Sequence, residues 1–184
     1  MRFKQLSWLI FWLVLVAGLA ILFGLRSYRV FTQEELVAVV RCDLAPHESN
    51  AAFLLWVTPV SGGIPGTPER FPMVGDQWAI GGEVLKWHPW LNLLGVKTCY
   101  KLSRISSRYL KVESERTRPR MAYDLQGGTT PVWLFLYECQ QILPFVEAVY
   151  GNSTYTMAQP GTRWGVYVTL SGFLTRPLRP RSAG

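Results

Sequence analysis

Apolar and polar positions follow two different patterns along this chain. Leu6 to Leu25, LSWLIFWLVLVAGLAILFGL, carries no charged side chain. At 1.5 Å per residue such a run spans about 30 Å, the thickness of a bilayer's hydrocarbon core. A core helix keeps a polar face over this length, so the pattern predicts a transmembrane helix. The basic start MRFKQ also fits a signal peptide. The apolar stretch, however, exceeds the usual core of roughly 7 to 15 residues and runs into GLRSYRVF without a small-x-small cleavage site. An uncleaved anchor is therefore the expectation. Trp8 and Trp12 lie near one end, and Arg26, Tyr28 and Arg29 past the other, where headgroups favour amphipathic aromatic and basic side chains. Ala20 and Gly24 add a small-xxx-small pair that lets two such helices approach.

Beyond residue 29 the period shortens. Val37, Val39 and Val40 predict a first strand over 36–44, with Thr32 and Glu35 ahead of it at capping-box spacing and APHESN as the following turn. AAFLLWVTPV, 51–60, is continuously apolar or β-branched and predicts a strand buried on nearly both faces. RFPMV and QWAIGGEVLKW flank Gly75-Asp76, a strong hairpin signal, and Gly81-Gly82 marks a bulge or a close backbone approach. In HPWLNLLG, Pro89 suits a first helical residue and Gly95 a stop, giving one or two turns of helix. CYKLSRISSRYLKV fits a helix by the spacing of Leu102, Ile105, Tyr109 and Val112, while its β-branched content and its neighbours favour a bulged strand. ESERTRPRM reads as a charged loop and AYDL as a short strand.

Thr130 and Pro131 open a helix predicted to run to Tyr150 and to pack Val132, Leu136, Cys139, Leu143, Val146 and Tyr150 into the core. Glu138, Gln140, Gln141 and Pro144 rule it out as a second span. The stretch 153–178 reads as a final hairpin turning at Pro160-Gly161. Gly75-Asp-Gln-Trp78 and Gly161-Thr-Arg-Trp164 echo one another, as two hairpins that each pin an indole into the core would. The predicted fold class is α+β: an N-terminal transmembrane helix, then a mostly antiparallel β domain with one main α-helix. Its divisions are a tail and anchor at 1–29, a compact domain at 30–176 and a polar tail at 177–184.

Charge adds a second feature. Lys and Arg number 19 against 12 Asp and Glu. Lys97, Lys101, Arg104, Arg108, Lys111, Arg116, Arg118 and Arg120 cluster in one segment with only Glu113 and Glu115 among them. Such a segment is either a solvated basic face or a patch for anionic headgroups. Nucleic acid is excluded as a partner because the anchor would hold this surface outside the cytoplasm. Cys42, Cys99 and Cys139 include no CxxC pair, so zinc ribbons and thioredoxin-like motifs are unsupported. Cys42 and Cys99 would suit a disulfide if the domain is exported; the other reading is three small thiols of the core. Asn152-Ser-Thr154 is a formal glycosylation sequon, relevant only in a eukaryotic secretory setting.

Catalytic chemistry is thinly supplied. His47 and His88 have no partner at metal-binding spacing, and neither a GxSxG elbow nor a GxxxxGK[ST] loop is present. No catalytic, cofactor-binding or metal residue is assigned and no cofactor is expected. The enzymatic alternative is a membrane-tethered hydrolase using His88 with Asp76 or Glu83. The candidate site is instead an interface: Trp87, Trp90, Leu91 and Leu94 on or beside a short helix, with Lys97, Lys101, Arg104 and Arg108 behind it, suit a domain lying on a bilayer.

GDQWAIGGEVLKWHPWLNLLG (75–95), YKLSRISSRY, FVEAVYGNSTYTM and RWGVYVTLSGFLTRPL together resemble a bacterial family of small single-anchor membrane proteins often labelled cation/multidrug efflux pump or multidrug transporter. The resemblance covers most of the chain after the anchor and implies no catalytic or ligand residues. One spanning helix cannot line a transport pathway alone. The expectation is therefore a non-catalytic binding or scaffold domain at the membrane surface, with the lipid bilayer and other membrane or envelope proteins as partners. Flanking charges nearly balance, and the short leader places residues 30–184 outside a bacterial inner membrane.

Overall fold

In the computed structural model of the chain the described residues are 8, 10–22, 34–46, 50–128 and 130–178. Residues 8 and 10–22 are helical (α1), with side chains exposed all round. The rest of the span expected at Leu6–Leu25 lies outside the described residues, as do Arg26, Tyr28, Arg29, Thr32 and His47. Among the described residues no helix is long and apolar enough to cross a membrane. The N-terminal transmembrane helix, the single-pass topology and the inner-membrane placement built on it are thereby corrected. So is the α+β class, because the fold is mostly antiparallel β with short helices.

The strands are β1 (Glu35–Leu44), β2 (Phe53–Ser61), β3 (Ile64–Pro65), β4 (Glu69–Met73), β5 (Gln77–Trp87), β6 (Cys99–Arg108), β7 (Ala122–Asp124), β8 (Val146–Met157), β9 (Arg163–Thr169) and β10 (Gly172–Pro177). Three helices interrupt them: α2 (Pro89–Leu93), α3 (Val112–Thr117) and α4 (Pro131–Cys139). A six-stranded sheet runs β10-β9-β1-β2, with β3 and β4 both pairing with β2; a four-stranded sheet runs β7-β6-β5-β8. Side chains two apart point the same way in a strand. Ala38, Val40 and Cys42 of β1 and Phe53, Leu55 and Val57 of β2 therefore meet Trp78, Ile80 and Val84 of β5 and Leu102 and Ile105 of β6 in one core. β2 alternates buried and half-buried positions, so it buries one face and not two.

Both seams of the sandwich are tied. At one, the Tyr123 hydroxyl donates to the Pro72 carbonyl at 3.0 Å and the ring lies 5.3 Å from Phe71. At the other, the Phe173 N–H donates to Asn152 Oδ1 at 2.7 Å. The amide of the formal sequon thus holds two sheets together.

Neither expected hairpin forms. Gly75-Asp76 carries the chain from β4 in one sheet to β5 in the other, and Pro160-Gly161 carries it back from β8 to β9. Gly75 and Gly161 have φ of 88° and 82°, conformations that side-chain-bearing residues rarely adopt. The Gly75 corner is stitched by Asp76: its N–H donates to Arg108 O at 3.0 Å, and its carboxylate accepts the Leu110 N–H at 3.1 Å. The true terminal hairpin is β9–β10. Both echoed tryptophans do reach the core, Trp78 fully buried and Trp164 packed against it.

The long helix expected at 131–150 is also corrected. α4 stops at Cys139, and Val146–Met157 form β8, which pairs with β5 along nearly its whole length. α3 occupies part of the segment expected to be a charged loop.

Candidate functional site

The outer face of the four-stranded sheet is divided along the length of β5. At the Leu85–Trp87 end, α4 and the turn after it cover the sheet: Trp133, Leu136 and Leu143 pack on Leu85, Val146 and Val149. Trp87 meets the Phe145 ring at 6.2 Å, and the His88 N–H donates to Phe145 O at 3.0 Å. These contacts set α2 beside the α4 segment. The Trp87 indole N–H donates to Lys97 O at 2.9 Å, and buried Asn92 donates through Nδ2 to Trp87 O at 3.3 Å, so the 87–97 loop is held at both ends.

The remaining apolar side chains at this end face outward. Trp90 is 49% exposed, Leu94 69% and Ile142 79%, with Val132, Leu134, Phe135 and Phe145 also exposed. The chain enters the domain nearby, since Lys97 pairs with Glu35 at the start of β1 at 3.2 Å. Lys86 pairs with Glu147 at 2.7 Å, so both lysines at this end have carboxylate partners. Burial and the Glu35 carboxylate push the Tyr100 hydroxyl above its usual pKa.

At the Gln77–Gly81 end the same face is open. A groove of about 820 Å³ is floored by Ala79 and Gly81, edged by Ser106 and Ser153, and walled by Arg104, Arg108 and Arg120. Arg108 sits 4.4 Å over the Tyr155 ring. Arg120 pairs with Glu115 at 3.1 Å. The Glu115 carboxyl is held below its usual range chiefly by the Tyr109 N–H at 2.7 Å, burial opposing and Arg120 assisting.

The interface expected from the sequence is thus split in two. Trp87, Trp90, Leu91, Leu94 and Lys97 share the apolar end, while Arg104 and Arg108 line the groove about 20 Å or more back along the strands. Lys101 lies between, donating to Gly128 O. The enzymatic alternative is not assembled. Asp76 and His88 stand at opposite ends of β5, twelve residues or about 40 Å apart, and Glu83 is about 16 Å from His88 along the strand. Cys42 is buried, Cys99 exposed and Cys139 half-buried, and all three are free thiols. Cys42 lies about 23 Å along β1 from Glu35, whereas Cys99 begins β6 two residues from Lys97, Glu35's partner. Among the described residues no group of three His, Cys, Asp or Glu is placed to hold a metal.

Sequence reasoning missed Phe135, Ile142 and Phe145 at the apolar end and Ser106 and Ser153 at the groove, whereas Arg120 belongs to the basic segment that the sequence does mark. Of the apolar run PVWLFLY the helical spacing points Val132 and Leu136 to the core, and in the structure Val132, Leu134, Phe135 and Tyr137 are exposed. No family model, curated protein or solved structure matches the chain, so no residue role is carried to either surface from a relative.

Proposed function

We propose that this chain is a non-catalytic binding domain that rests its α2–α4 end on a lipid surface. The observation that supports the reading is the concentration of exposed Trp90, Leu94, Phe135, Ile142 and Phe145 at one end of the sandwich. Large apolar side chains left in solvent together at one end of a domain mark a surface that meets a protein or membrane partner. The patch is carried on α2, α4 and the turn after α4 and includes the Trp90 indole with its polar N–H, which suits a headgroup boundary. Burying a large apolar side chain is worth about 1.5–3 kcal/mol, so Trp90 and Leu94, already partly covered, would contribute about 1 kcal/mol or more each. Lys86 and Lys97 are already paired with carboxylates, so headgroup charge adds little and binding depends weakly on salt.

The test uses the full chain and neutral phosphatidylcholine vesicles with brominated acyl chains, which quench nearby indoles. Trp90→Phe removes one reporter while leaving an apolar ring. Bromine-dependent quenching should fall relative to the wild type; an unchanged value would overturn the reading. Trp8 and Trp12 are common to both proteins, so vesicle affinity of α1 cancels in the difference. A hydrolase built on His88 with Asp76 or Glu83 is the competing function, and the separations along β5 count against it.

A further inference from the structure

We infer that the arginine-walled groove is a second binding site, for a small ligand carrying phosphate. Its position and residues are independent of the apolar end. A sheet's outer face is ordinarily filled by branched and aromatic side chains, yet the central strand here presents Ala79 and Gly81. Gly81 has no room for a side chain, because a Cβ would lie 2.9 Å from both Asn152 O and Ser153 Cβ. Backbone therefore floors the groove, and its volume of about 820 Å³ is that of a small-molecule site.

The walls select charge. Arg104 and Arg108 have no carboxylate within ion-pair distance among the described residues. Arg108 is steadied on Tyr155, and Arg120 is steadied by Glu115, whose carboxylate also lines the groove and feels Arg108, so three guanidinium groups face one carboxylate there and leave it net positive. Guanidinium forks match phosphate oxygens in pairs, and Ser106 and Ser153 add hydroxyl donors. The adjoining hollow, which shares Gly81, Arg104 and Ser153, is lined by Glu83 and Asp124. Those carboxylates repel a second anion, which confines the phosphate to the arginine side and favours a compact ligand over a long polyanion. The groove also stands too far from the apolar end to reach headgroups of a bilayer touching that end, so the phosphate is a free one.

Titration calorimetry on the full chain at low salt with inorganic pyrophosphate tests this. The wild type should bind, and Arg104→Gln and Arg108→Gln should each weaken binding tenfold or more. Arg116→Gln on α3 removes the same charge outside the groove and should change affinity less than twofold. Absence of pyrophosphate binding, or equal losses in Arg116→Gln and Arg104→Gln, would overturn the site. Vesicles containing phosphatidic acid form the second arm. Arginine-dependent binding to them without pyrophosphate binding would overturn the free ligand in favour of a headgroup. Near-ultraviolet circular dichroism of each variant separates loss of the groove from loss of the fold.

Discussion

Gly82 sits where β5 and β6 shift register, and it puts the sandwich to a severe test. A Cβ there would lie 1.9 Å from Lys101 O and 2.9 Å from Leu102 Cα. Both are backbone atoms, so no side-chain rotation relieves the clash. Reaching even 3.0 Å requires the strands to part by about 1.1 Å beside the paired positions Gly81 with Arg104 and Gly82 with Leu102. That movement would break about two ladder hydrogen bonds, worth about 1 kcal/mol each, and leave buried groups unpaired. Gly82→Ala should therefore cost about 3–4 kcal/mol and lower Tm by about 10 °C in a chain of this size. Gly151 in β8 is the control, because its Cβ would meet nothing within 4 Å and its φ is not positive. Gly151→Ala should be neutral or slightly stabilising, through the loss of freedom in the unfolded chain. Thermal unfolding followed by tryptophan fluorescence reads both. Equal Tm values for the two variants would refute the β5–β6 packing.

Other consequences can be checked on the same protein. Trp78 is fully buried and its indole N–H has no partner among the described residues. Trp78→Phe removes that unpaired donor and should cost about 1–2 kcal/mol in urea unfolding, against about 4 kcal/mol for Trp78→Ala. Glu115 has a folded pKa below its unfolded value near 4.5, so its contribution is complete above that value and fades as pH falls through the folded one. The stability difference between wild type and Glu115→Gln should accordingly vanish at strongly acidic pH; a difference independent of pH would refute the role. Burial, with Asp43 adding to it, pushes the Cys42 thiol up to about 11. Maleimide at neutral pH should label exposed Cys99 rapidly and Cys42 only after unfolding, as peptide mass analysis will read.

Local elements were legible where one physical signal dominated. β1 and β5 follow from alternating β-branched and aromatic positions, and α2 from Pro89 and Gly95. Turn chemistry at Gly75 and Gly161 correctly marked where the chain bends. It carries no information about which sheet receives the next strand, and so two sheet-crossing corners looked like hairpins. For 146–150 the helical spacing of Val146 and Tyr150 competed with the pairing of that segment along β5, and the long-range pairing prevailed. Of the candidate site, the indole cluster was readable because it lies in one short stretch. The groove was not, since Ser106, Arg120 and Ser153 are brought together only by β6, β8 and the turn into β7. The span expected at Leu6–Leu25 rested on hydropathy alone, and among the described residues no helix is long and apolar enough to cross a membrane.

Hydrogen exchange along the full chain, with and without neutral phosphatidylcholine vesicles, tests the lipid-surface function most directly because it reports on each segment separately. The apolar-end account predicts that amides of 89–96 and 133–145 gain protection on vesicles while those of 53–61, in the six-stranded sheet, do not change. Protection confined to 10–22, with 89–96 and 133–145 exchanging as in solution, would contradict it.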